Sequence, residues 1–233
     1  MSQAIVLRKK LSPQQLARLA GVFYLMDAAF GPGLYAMRKL VVLGDAAKTA
    51  ANILAHTTLY QLGFAGNLIA IATYVAVTAL FYELFKPVNR TVSLLAAFLS
   101  LMGCAVLAVG CVLYLAPLIA LTTGQAPALA LLLLRLYGQS FNTSIVFFSL
   151  YCLLIGYLIY RSTFLPRILG VGMMLAGLGW IPFLWPPLTH VLSPFIMFAG
   201  IGEGALVIWL LARGVDSERW NAEAAANGLS VRP

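Results

Sequence analysis

The chain has 233 residues, 62% of them hydrophobic and only 9% charged, with a net charge of +8 and a mean hydropathy of +0.93. Soluble domains carry roughly 25% charged residues, so this composition cannot dress a water-soluble surface, and lipid is the expected solvent. The positive charge does not indicate nucleic acid, because the basic residues lie at the ends of apolar runs and form no stripe interleaved with aromatics.

The apolar runs are continuous rather than alternating, which argues against a β-barrel. The expected fold class is all-α: a polytopic membrane helix bundle of about six transmembrane helices, both termini cytoplasmic, with a short surface helix in the first outer loop. The basic cluster Arg8, Lys9 and Lys10 precedes a polar turn, Ser12-Pro13-Gln14-Gln15, and no small-residue cleavage site follows. The segment therefore reads as the approach to a first span rather than as a signal peptide.

In chain order, the spans are expected at about 18–37, 59–84, 91–121, 138–160, 168–185 and 191–212. The fourth continues an apolar helix that begins near Pro127, with Gly138 available as a break that would keep the two from fusing into one overlong helix. Pro182, Pro186 and Pro187 stop the fifth. With the N-terminus inside, the cytoplasmic side holds Arg8, Lys9, Lys10, Arg18, Lys86, Arg90, Arg161, Arg167, Arg213, Arg219 and Arg232, eleven of the 15 basic residues. Arg38, Lys39, Lys48 and Arg135 fall outside. That bias sets the orientation of a multi-pass protein, with both termini inside.

Between the first two spans, residues 44–64 begin with Gly44-Asp45, a turn and helix N-cap signal. Asp45, Lys48 and Asn52 recur on one helical face, so residues 45–56 are expected to be helical. They either lie on the membrane surface, cap the bundle, or begin the second span early. The cytoplasmic turns KPVNR (86–90) and RSTFLPR (161–167) each bracket a proline with basic residues, which anchor helix ends at headgroups. Residues 1–215 thus read as a single six-helix transmembrane domain and residues 216–233 as a polar cytoplasmic tail, either a frayed helix or disordered.

GDAAKTAANI (44–53), KPVNR (86–90), FLPRILG (164–170) and GEGALVIWLL (202–211) together resemble a bacterial family of small integral membrane proteins, domain-of-unknown-function family 4386. The resemblance runs over nearly the whole chain and implies six helices in a bacterial inner membrane, with no stated activity. It also implies a histidine at the position of Tyr151 and an aspartate at that of Asn67 in many members; this chain has neither ionisable group.

The informative residues in a membrane are the expensive ones. Asp27 and Glu203 lie near the middle of the first and sixth spans, where a charge costs roughly 2.5–3.5 kcal/mol on insertion scales. Neither should face lipid, and their similar distance from the cytoplasmic helix ends puts them at similar depth. They are the catalytic candidates. Asn67, Arg135, Gln139 and Asn142 are candidate ligand-binding groups, with Arg135 the expected counter-charge. The same amides and carboxyls also suit interhelical hydrogen bonding with no further role. Gly200, Gly202 and Gly204 flank Glu203 and fit either close helix packing or a pocket.

Glu83 reads as a structural partner of Lys86. His56 and His190 make too thin a set for a metal, and Cys104, Cys111 and Cys152 lie in apolar runs without a CxxC. No metal and no cofactor is expected. Walker, GxSxG and paired aspartate motifs are missing, which leaves an enzyme neither indicated nor excluded. The expected partners are membrane lipids and a small lipophilic ligand, with a homo-oligomer open and nucleic acid excluded. Three functions compete: a small-ligand membrane protein with buried carboxyls, a proton-linked transporter, and an accessory subunit whose polar groups only hold the bundle.

Overall fold

The computed structural model describes residues 11–30, 39–42, 44–185 and 193–228, the side chains of 193–199 excepted. Arg8, Lys9, Lys10, Arg38, Arg232, His190, Pro186 and Pro187 lie outside the described residues.

The helices are α1 (Pro13–Phe30), α2 (Ala46–Ala55), α3 (Thr57–Phe85), α4 (Arg90–Thr122), α5 (Pro127–Arg161), α6 (Arg167–Trp180), α7 (Ser193–Ala212) and α8 (Ser217–Ala226), with a 3-10 turn at Ile181–Leu184 after α6. Among the described residues there is no strand. In a bilayer the backbone must satisfy its own polar groups, and helices do so within each segment. Four segments are long and apolar enough to cross a membrane: Thr57–Phe85, Arg90–Thr122, Pro127–Arg161 and Arg167–Leu184. Gly200–Ala212 is a shorter apolar helix.

Helix ends follow the expected signals closely for α3 and α4. Asn89 caps α4 by accepting from the Val92 amide, and Asp45 caps α2 by accepting from the Lys48 amide at 2.8 Å. The helix from Pro127 continues through the fourth span as read, and the break available at Gly138 is not used: α5 runs unbroken over 35 residues. One glycine costs a helix only about 1 kcal/mol relative to alanine, and packing against neighbours on both sides outweighs that.

Six helices close a ring. α1 packs on α3, α3 on α4, α4 on α5, α5 on α6, α6 on α7, and α7 back on α1. Small residues set the spacing. Gly156 and Gly170 bring the backbones of α5 and α6 together, and Gly202 sits on the Gly172 backbone between α7 and α6. Side-chain hydroxyls add bonds to neighbouring backbones: Ser149 donates to the Gly177 carbonyl at 2.8 Å and Ser140 to that of Val106 at 3.0 Å.

Both ends of the ring are dressed. At one, α2 packs on α4 and α5, and Leu40, Ile53, Tyr60, Tyr114, Leu118, Leu134 and Tyr137 form a small core separate from the main one. Tyr60 and Tyr114 stack at 4.6 Å and each donates its hydroxyl to the other's carbonyl. At the other end, the first part of the tail, expected as a frayed helix or as disorder, is helix α8. Asp216 caps it, Trp220 donates its indole N–H to the Leu84 carbonyl at 2.8 Å, and Glu223 accepts from the amide and hydroxyl of Thr163. The sequence of α8 has no apolar stripe of its own, so its docking rests on these few specific bonds and on the buried Ala224. Gly214 makes the turn before it with φ +68°, a conformation that a side chain would strain. Gln14 of α1 reaches this turn, donating to the Arg213 carbonyl and accepting from the Val215 amide.

Candidate functional site

All six ring helices contribute to a cavity of about 260 Å³. α3 presents Asn67, Ala70, Ile71 and Tyr74, at i, i+3, i+4 and i+7. α4 presents Cys104, Leu107 and Cys111, and α5 presents Tyr137, Phe141, Ile145 and Phe148. Asp27 comes from α1, Trp180 from α6 and Glu203 from α7. The seven steps from Asn67 to Tyr74 rise about 10 Å along the helix, so the space is elongated along the ring axis.

Its two ends differ. At one, Asn67 donates its amide to the Tyr137 hydroxyl at 3.1 Å, and the Tyr137 ring packs edge-on to Tyr114 at 5.1 Å. At the other, Tyr74 lies 4.8 Å from the Phe148 ring and 5.5 Å from the Tyr24 ring. Glu203 belongs to that second end. It accepts from the Tyr24 hydroxyl at 2.7 Å, from the Trp180 indole N–H at 2.7 Å and from the Cys152 thiol at 3.7 Å. Three helices besides its own thus hold the carboxyl. Asp27 stands one turn beyond Tyr24 on α1, half-buried, and close enough to Glu203 for their charges to interact.

The candidates read from sequence separate into two groups. Asp27, Glu203 and Asn67 line the cavity. Arg135 and Gln139 are exposed and Asn142 is half-buried, and none of the three lines it. Glu203 finds its partners among the described residues in Tyr24, Cys152 and Trp180 instead of Arg135 or an α5 amide. The sequence reading missed all three partners: Tyr24 could have been found as a neighbour of Asp27 at helical spacing, whereas Cys152 and Trp180 carried no signal, because a buried cysteine and a helix-end tryptophan are ordinary in apolar runs. Gly200 and Gly204 meet nothing within 4 Å among the described residues, so the close helix contact belongs to Gly202 alone of the three. Tyr151 is buried beside this site, and its hydroxyl has no hydrogen-bond partner among the described residues.

Chemically, the arrangement offers an apolar, aromatic-walled space with two acids at one end and an amide–phenol pair at the other. Over residues 19–214 the chain matches the family described as "Domain of unknown function (DUF4386)". The protein belongs to this family. The DUF4386 match runs from α1 through α7, so it contains every residue of the cavity and leaves α8 outside. The comparison with curated proteins found no match, and neither did the comparison with solved structures.

Proposed function

We propose that this DUF4386 protein is a six-span inner-membrane protein, both termini cytoplasmic, that takes a small lipid-soluble molecule into its central cavity and meets it with Glu203 and Asp27. The cavity carries this reading. At about 260 Å³ it exceeds the roughly 150 Å³ that suffices for benzene, and it lies near the lower limit of about 300 Å³ for drug-sized sites. Its mostly apolar walls with a few convergent polar groups are what small-molecule sites have in common. Native mass spectrometry of the protein released from membranes tests it. A bound small molecule should co-purify with the wild type and be lost on Ile71→Trp, which fills the space. An adduct-free wild type that also binds no added lipophile would refute the pocket.

One observation favours a second reading, in which the polar groups only hold the bundle. Glu203 is already engaged by three donors from three helices, and interhelical bonds of this kind are worth roughly 0.6–2 kcal/mol each. Under that reading the filled variant Ile71→Trp retains every function of the wild type in cells.

A further inference from the structure

The described lining of the cavity contains two carboxyls and no lysine, arginine or histidine. Two acids that share a low-dielectric space cannot both be charged unless a cation joins them. Arg135, the basic residue that the sequence offers on α5, is exposed and outside the lining. Around the acids stand the rings of Tyr74, Phe148 and Trp180, with Phe141 and Tyr137 further along. Ring faces attract ammonium groups within about 6 Å, more strongly once water is excluded. Trp180 meets Glu203 with its indole N–H edge, so the ring faces for a cation are those of Tyr74 and Phe148 in the same lining.

We infer that the ligand is a lipophilic cation: one ammonium group carried on an apolar body of about the size of a single aromatic ring. This inference rests on the pocket reading above and names the chemical class the pocket takes. The ammonium sits at the Tyr74 end between the carboxyls, and the apolar body extends along Leu107 and Ile145 toward Asn67. The Trp180 and Tyr24 bonds hold the Glu203 carboxyl in place, so one oxygen pair is oriented before the ligand arrives.

The test uses two probes of one shape. Benzyltrimethylammonium carries the charge; neopentylbenzene has carbon in place of the nitrogen and carries none. Equilibrium dialysis against the full-length protein in detergent measures both. The cation should bind at least about tenfold tighter, the size of one desolvated cation–ring contact with its carboxylate partner. The double variant Asp27→Asn, Glu203→Gln keeps the shape and hydrogen-bonding capacity of both side chains. It should lose that preference while still binding neopentylbenzene, which also reports that it is folded. Equal binding of the two probes by the wild type would overturn the cation assignment and leave the pocket standing. Preference surviving in the double variant would overturn the role of the carboxyls. Binding of neither probe to the wild type would overturn the pocket and the cation together.

Discussion

Trp180 donates its indole N–H to Glu203 across 2.7 Å, which ties the carboxyl of α7 to the last residue of α6. Tyr24 makes a second bond of the same length from α1, so one side chain joins three walls of the ring.

Those two donors need an acceptor at position 203. Glu203→Gln keeps one oxygen and should lower the unfolding midpoint in detergent only slightly. Glu203→Leu strands both donors, and each unsatisfied buried group costs about 1–3 kcal/mol. Thermal melts should therefore order the proteins wild type, Gln, Leu. A Leu variant as stable as the Gln variant would remove the hydrogen-bond account of this residue.

The same geometry predicts coupling between Tyr24 and Trp180, which share Glu203. Tyr24→Phe and Trp180→Phe each remove one donor. Their combined effect on stability should depart from the sum by about 0.5–3 kcal/mol, the range for residues in one network. Strict additivity in the double-mutant cycle would mean that the two donors act independently.

Three glycines two residues apart should respond differently to a methyl group. At Gly202 an added Cβ would fall 2.8 Å from the Gly172 carbonyl carbon and nearer still to its oxygen. Gly202→Ala should cost about 1–3 kcal/mol through overpacking. At Gly200 and Gly204 nothing described lies within 4 Å, so alanine there should be neutral or gain up to about 1 kcal/mol from helix propensity. Equal responses at the three positions would contradict the α6–α7 contact.

Helix α8 should protect its amides. Hydrogen exchange over residues 217–226 should be slowed in the wild type and accelerated by Trp220→Phe or Glu223→Ala, which remove the bonds to Leu84 and Thr163. Exchange at the rate of an unstructured peptide in the wild type would show that the helix does not stay docked.

What the sequence made legible follows from what it encodes locally. The α3 and α4 ends, expected at 59–84 and 91–121, lie at Thr57–Phe85 and Arg90–Thr122, because polar turns and basic anchors mark where apolar runs stop. The Asp45 cap likewise gave away α2. The facing of α5 was not legible. Tyr137 and Gln139 are two residues apart, about 200° around the helix, and only the first turns to the cavity. In a soluble helix the polar side would point outward and settle the matter; here lipid and core are both apolar, so no such stripe separates them. Gly138 goes unused as a break for a related reason: a break signal in water is weak in a segment that packs on two neighbours. The partners of Glu203 come from residues 23 to 179 positions away, beyond any spacing rule.

The ring closes between its first and last helices, and that fixes a timetable. Tyr24 leaves the ribosome 179 residues ahead of Glu203. At about 5–20 residues per second this is a wait of roughly 9 to 36 seconds. Until then the Tyr24 hydroxyl has no Glu203 carboxylate to donate to, so this bond, and with it the contact of α7 on α1, is among the last that the chain can make.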